Sequence, residues 1–347
     1  MENTLYQKID KLLDIENTKE AKKYLRNIKK RDGIYFYYLG EIERINGLLG
    51  KSFKRYLKAL SKLDKKSYFY QKTLLRLASI ARSKGKIRET EKYLKILKKL
   101  NPKDLDFLLE MAMYFRMKGD FKNALYYFSK LKKIYTLKKD FQGLSYIYWA
   151  EGGIFRLEGN FKKGIISFKK SIKYALKAKD KSLLLYANFA LAGILRIYGR
   201  INDSFKVYSK SLKFIDENDY FSKAYYHCGI ANALRQMGNY KKAIENYIVS
   251  YRYYLKTGDK LDLALVLWGL GNAYIRVGKF KDAKDSFLKA ERLFKDGFEP
   301  RGKILNLFSL SYLYYIEGRK EKAKNIYFKA LKEAKKNNLN TYLEIFT

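Results

Sequence analysis

Apolar residues recur at helical spacing in a series of segments, each closed by a glycine. Leu267, Leu270, Gly271 and Tyr274 precede Gly278 in this way, a one-sided stripe that predicts an amphipathic helix. The closing glycines are Gly47, Gly85, Gly119, Gly159, Gly199, Gly238, Gly278 and Gly318, at intervals of 38, 34, 40, 40, 39, 40 and 40 residues. Five positions after each stands a mostly small residue: Ser52, Thr90, Ala124, Gly164, Ser204, Ala243, Ala283, Ala323. Nine positions after stands a large one: Tyr56, Leu94, Phe128, Phe168, Tyr208, Tyr247, Phe287, Tyr327. Four units add an aromatic two positions after the glycine: Phe121, Phe161, Tyr240 and Phe280.

A fixed period of this length marks a repeat architecture. The glycine takes the left-handed conformation that ends one helix and opens a turn. The small residue lets the two helices of a hairpin approach closely. The large residue, four positions on, lies on the same face and fills the gap to the next hairpin. Asp140, Asp180, Asp219 and Asp259 recur at the same period, each placed to N-cap the helix that follows.

The run Leu270-Gly271-Asn272-Ala273-Tyr274, then Gly278-Lys279-Phe280, then Ala283, Phe287 and Ala290, resembles the tetratricopeptide repeat (TPR). The unit from Gly119 to Phe128 resembles it nearly as well, and Asn101-Pro102 resembles the usual end of a unit. The resemblance covers residues 33–334 as eight units and implies an all-α, right-handed superhelical solenoid of helix-turn-helix repeats. Most units exceed the usual 34 residues, which is similar to the long-unit subclass of kinesin light chain, Pins-type adaptors and bacterial peptide-sensing regulators. Two units depart from the pattern: Glu43 stands where an aromatic is expected and Glu151 where an apolar residue is expected. Residues 1–32 are expected to form a capping hairpin with Ala21 and Leu25 as its small and large residues. Residues 335–347 are expected to be a capping helix or the start of a further unit.

In the family the first helix of each unit lines the concave surface. The glycine sets the register, so groove-facing positions fall three, six and ten before it. Three before stand Arg44, Arg82, Arg116, Arg156, Arg196 and Arg235; the seventh unit has Ile275 there with Arg276 beside it. The chain has 17 arginines among its 74 basic residues, so bulk basicity would have filled this column with lysine. Guanidinium presents a rigid fork to carboxylate or phosphate and stacks on aromatic rings. The blander alternative pairs each arginine with a local acid, but local acids do not recur in step. Ten before the glycine stand Tyr37, Trp149, Phe189, Cys228, Trp268 and Phe308, with Tyr146, Tyr186 and Tyr225 three further out. These are expected either to line the groove or to pack helix on helix. Six before stand Gly153, Gly193, Asn232 and Asn272. The glycines leave room for a ligand backbone and the asparagines offer it hydrogen bonds.

Composition narrows the function classes. Lys+Arg 74 against Asp+Glu 35 gives a net charge of +39, a field that attracts polyanions. An AT-rich genome would also raise lysine, but it does not explain the shortage of acids. No apolar run reaches the roughly 18 residues of a membrane span, and the start has neither the basic nor the apolar part of a secretory signal. With a single cysteine, Cys228, no internal disulfide forms, and a cytoplasmic location is expected. His227 is the only histidine, which argues against zinc triads and nucleophile–histidine pairs; it is expected to pack against the core. Gly269-Leu270-Gly271 lies inside a repeat helix and makes no dinucleotide loop. No catalytic residues, metal site or cofactor are expected, and the chain is not expected to be an enzyme.

The leading expectation is an adaptor whose groove captures an extended acidic segment of a protein. The rival is single-stranded RNA, with arginines on phosphates and aromatics stacking bases. A third is a peptide-sensing regulatory module, which needs an effector domain besides the repeats.

Overall fold

The computed structural model describes residues 2–295 and 300–337, and every regular element among them is helical. The chain divides into two compact units, residues 1–131 and 132–347. The first holds α1(Glu2–Asp14), α2(Thr18–Arg26), α3(Gly33–Ile45), α4(Leu49–Leu60), α5(Tyr68–Ser83), α6(Ile87–Leu100) and α7(Leu105–Met117). The boundary falls within α8(Phe121–Leu137). The second holds α9(Phe141–Leu157), α10(Phe161–Ala178), α11(Lys181–Ile197), α12(Ile201–Ser211), α13(Tyr220–Gln236), α14(Tyr240–Thr257), α15(Lys260–Arg276), α16(Phe280–Leu293), α17(Pro300–Ile316) and α18(Lys320–Lys336).

The turns follow from the glycines. All eight repeat glycines have positive φ, between 67° at Gly85 and 84° at Gly199. Each closes its helix with the same two bonds: Gly159 N–H donates to the Arg156 carbonyl at 3.2 Å, and Asn160 N–H to the Phe155 carbonyl at 2.8 Å. This double bond pattern satisfies carbonyls that a helix end otherwise leaves open. It also pins the residue three before the glycine in the last helical turn, so the arginine column is fixed by the cap. The next helix starts as firmly. Asp140, Asp180 and Asp219 accept from the backbone N–H of Gly143, Leu183 and Ser222 at 2.8–2.9 Å, and Asp259 from that of Asp262 at 3.0 Å.

Packing follows the small–large pattern. Ser52, Thr90, Ala124, Ser204, Ala243 and Ala283 are fully buried. So are Tyr56, Phe128, Tyr247 and Phe287, each contributing about 1.5–3 kcal/mol by leaving water. Their rings lie on glycines of the first helices: Tyr56 on Gly40, Phe168 on Gly152, Phe287 on Gly271, with Tyr247 reaching Gly269 of the following hairpin. A Cβ at any of these would collide with the ring. Tyr327 departs from the column at 46% exposed. In the first hairpin Ala21 and Leu25 are buried, and Tyr38 ties α3 to α1 through its hydroxyl bond to Asp10 at 2.9 Å. Of the stretch expected to cap the other end, residues 338–347 lie outside the described residues.

Candidate ligand-binding face

The first helices of successive hairpins meet along one face of the second unit. Arg235 of α13 lies over the Trp268 ring of α15 at 5.7 Å. Trp268 Nε1 donates to Ser309 Oγ of α17 at 2.9 Å, and Ser309 Oγ donates to Asn272 Oδ1 at 3.2 Å. Residues three, six and ten before the glycine are therefore neighbours here.

Of the two expectations for the aromatic column, packing helix on helix is the one that its buried members follow. Tyr37, Phe189, Trp268 and Phe308 are buried. Their rings are large enough to reach the neighbouring helix: Phe189 stacks on Tyr225 at 4.9 Å, Tyr37 meets Phe69 edge-on at 5.3 Å, and Phe308 meets Tyr327 at 5.3 Å. Tyr146 and Trp149 are half-buried, 5.8 Å apart, and Tyr186 and Tyr225 are half-buried as well. The asparagines depart from expectation, because their amides are engaged internally. Asn232 Oδ1 accepts from the Tyr247 hydroxyl at 2.7 Å, and Asn272 Nδ2 donates to the Trp268 carbonyl at 2.8 Å. Gly193 keeps its open space, since the nearest atom a Cβ would meet is the Tyr208 hydroxyl oxygen at 3.8 Å.

The arginines fall into two sets. In the first unit Arg44 and Arg82 each pair with a carboxylate, although Arg44 Nε is left without an acceptor. Arg82 pairs with Glu110 through Nε at 2.5 Å and Nη2 at 3.3 Å. Arg44 Nη2 pairs with Glu41 at 2.9 Å. Glu41 also takes Arg76 as a two-point partner, at 2.7 and 3.1 Å, and the Tyr56 hydroxyl. Burial pushes the Glu41 carboxyl up, but Arg76 and Arg44 outweigh it and hold it below the usual carboxylate range. Burial wins at Glu110, whose carboxyl sits above that range despite Arg82 and Arg76. For these arginines the local-acid alternative holds. Arg116 is half-buried in the last turn of α7.

In the second unit Arg156, Arg196 and Arg235 are half-buried, and none forms an ion pair with a carboxylate among the described residues. Arg156 Nε and Arg235 Nη2 are buried without a hydrogen-bond acceptor. Leaving such a donor unmet costs about 1–3 kcal/mol, more for a charged group. Arg235 Nε reaches only the Tyr247 hydroxyl, at 3.3 Å. Arg156 and Arg196 both act on Tyr225, Arg196 and Arg235 both act on Cys228, and the Asp262 carboxylate acts on each of these groups in the opposite sense. Tyr225 is pushed up to about 12 by burial, with Arg156 and Arg196 pulling the other way. The Cys228 thiol is likewise pushed up to about 12 by burial and by the Asp262 carboxylate, opposed by Arg196 and Arg235, so it is a neutral filler and no thiolate. Arg276 is exposed at the end of α15. The helix dipole favours a cation in a last turn, but lysine would satisfy that equally.

The sequence signal that separates the two sets lies nine before the glycine. That position supplies Glu110 opposite Arg82. The equivalent residues opposite Arg156, Arg196 and Arg235 are Ala190, Gly229 and Gly269, which carry no charge. His227 is half-buried on the side of α14, with Nδ1 at 2.9 Å from Asn246 Oδ1 and its ring stacked on Tyr253. Among the described residues no group of three or more His, Cys, Asp or Glu is placed to hold a metal ion, and no helix is long and apolar enough to cross a membrane.

Stacked helical hairpins with a glycine-capped first helix define a class of all-α repeat proteins. Residues 221–296 match the tetratricopeptide repeat family. No curated protein matches it in sequence. Several solved structures share the fold. A Rap protein complexed with Competence and Sporulation Factor is 18% identical over 79% of this chain and 78% of that one, with a TM-score of 0.60. The apo form of RapI is 15% identical over 77% of each chain, with a TM-score of 0.50. The Cut9–Hcn1 hetero-tetramer of the APC/C is 14% identical over 94% of this chain and 57% of that one, with a TM-score of 0.58. At these identities the likeness is one of fold.

Proposed function

We propose that the first-helix face of the second unit binds an extended acidic segment of a protein partner, as a non-enzymatic adaptor. The observation that carries this is the set Arg156, Arg196 and Arg235, three half-buried guanidiniums that act on Tyr225 and Cys228 and form no ion pair with a carboxylate among the described residues. Asp and Glu side chains match the guanidinium fork. Packed helices lie about 8–10 Å apart, and an extended chain advances about 3.3 Å per residue. Roughly every third ligand residue would meet the next arginine. Two of the structures sharing the fold are complexes, one with Competence and Sporulation Factor and one of Cut9 with Hcn1, which supports a binding role. The test is affinity capture from native cells with the tagged full chain. Arg156→Glu with Arg196→Glu abolishes capture while the helical circular dichroism is unchanged; capture that persists refutes the proposal.

Single-stranded RNA is the second reading. It draws on the +39 charge and on lysine-topped aromatic stacks: Tyr148 lies parallel to Tyr174 at 5.5 Å, with Lys132 and Lys170 over the Tyr148 ring. Such binding would be steeply salt-dependent. A purified chain free of nucleic acid, with no affinity for homopolymer RNA at moderate salt, rules it out.

A further inference from the structure

The arginine face of the second unit runs into a cavity of about 850 Å³ bounded by α13, α15, α17 and α18. Arg235 belongs to both, so the cavity continues the proposed binding face. Its wall combines two chemistries. Arg235, Arg276, Lys320 and Lys324 supply four cations, and no carboxylate lines it among the described residues. Tyr312, Tyr315, Tyr327 and Phe328 supply aromatic surface and are 46–60% exposed. Exposed large apolar residues gathered in one patch mark an interaction site, whereas scattered ones do not. A purely acidic ligand would leave these rings in water, and a purely apolar one would leave four cations without counter-charge.

We infer that this cavity anchors one bulky apolar side chain of the acidic segment, with Arg235, Arg276, Lys320 and Lys324 receiving the carboxylates on either side of it. The inference rests on the acidic-segment proposal and adds the apolar anchor to it. The segment therefore reads, along its length, as spaced acids ending in an aromatic or leucine flanked by further acids. Burying such a side chain tightens binding about 10-fold or more over alanine.

The test is panning of a random 12-residue peptide display library against the full chain and two variants. Wild type is expected to select Asp- and Glu-rich peptides with one bulky apolar position. Tyr315→Ala with Phe328→Ala, at two exposed sites, keeps the acids and loses the apolar preference. Arg156→Glu with Arg196→Glu loses the acids away from the anchor. In synthetic form the wild-type consensus binds about 10-fold tighter than its apolar→Ala version, a difference that the Tyr315/Phe328 variant erases. Acidic peptides with no apolar position overturn the anchor and leave the acidic-segment proposal standing. Apolar peptides without acids, or no enrichment at all, overturn both. Selection of homopolymer RNA over every peptide, undiminished by Tyr315→Ala with Phe328→Ala, also overturns the anchor.

Discussion

The same arginine column serves two ends in the two units. In residues 1–131 Arg44 and Arg82 meet Glu41 and Glu110, and the charge is consumed inside the fold. Among the described residues of 132–347, Arg156, Arg196 and Arg235 form no ion pair, and the position that provides Glu110 provides Ala190, Gly229 and Gly269. The backbone context is alike in both, since each arginine carbonyl accepts from its glycine N–H at 3.0–3.2 Å or, at Arg82, 2.9 Å. A conserved-looking column therefore has no single meaning. What a guanidinium does is decided by a single carboxylate, Glu110 of the next hairpin for Arg82 and Glu41 of its own helix for Arg44.

The largest expected effect is on binding. Arg156→Glu with Arg196→Glu lowers partner affinity on the order of a thousand-fold, because two charge pairs become repulsions. Arg44→Ala and Arg82→Ala leave affinity unchanged in the same pull-down or titration. On stability the ranking reverses. Glu110→Ala strands the half-buried Arg82 and lowers the unfolding free energy by about 2–3 kcal/mol in urea melts. Arg156→Leu removes an unmet donor and changes it by less than about 1 kcal/mol or raises it. Ala190→Glu copies the Arg82–Glu110 arrangement into the second unit. It is expected to weaken partner binding about 10-fold with every arginine intact, read by the same titration.

The smallest effect is a pH dependence confined to the first unit. Glu41 is held below its unfolded value, near 4.3. Its stabilisation is therefore present above that pH and is lost as pH falls through the lower folded value. Glu110 is held above its unfolded value, so its contribution runs the other way, full below pH 4.3 and declining as pH rises through the folded value. Glu41→Gln should flatten the acid limb of a melting-temperature profile taken between pH 3 and 7. An unchanged limb would remove Glu41 as its source.

Much of the fold was legible because each feature is local. The glycine cap, the aspartate N-cap and the small–large pair all act within one hairpin, and each recurred where Gly47 to Gly318 placed it. The arginine column was legible for the same reason. Its division was legible only in part: Glu41 lies one turn before Arg44 on the same helix, but Glu110 lies 28 residues from Arg82 in a different hairpin. Glu41 and Glu110 were visible as acids within first helices, and aligning the position nine before each glycine would have flagged Glu110. The aromatic column stayed open between groove and packing at Phe189 and Trp268 because helical register gives the direction of a ring and says nothing of its reach. A ring that long closes the gap to the next helix and leaves the surface. The cavity beside Tyr315 and Phe328 escaped notice, since its four cations come from three helices and only Arg235 lies in the arginine column.

The most direct measurement follows the arginine side chains themselves. In the full chain labelled with ¹⁵N-arginine, the Nε–H signals of Arg44, Arg82, Arg156, Arg196 and Arg235 are recorded while a glutamate-rich peptide is added. Arg156, Arg196 and Arg235 are expected to shift and become protected from solvent exchange as the peptide binds, while Arg82 is protected from the start and does not move. Shifts at Arg44 and Arg82, or a peptide that binds without moving the second-unit signals, would contradict an anion site built from the unpaired arginines.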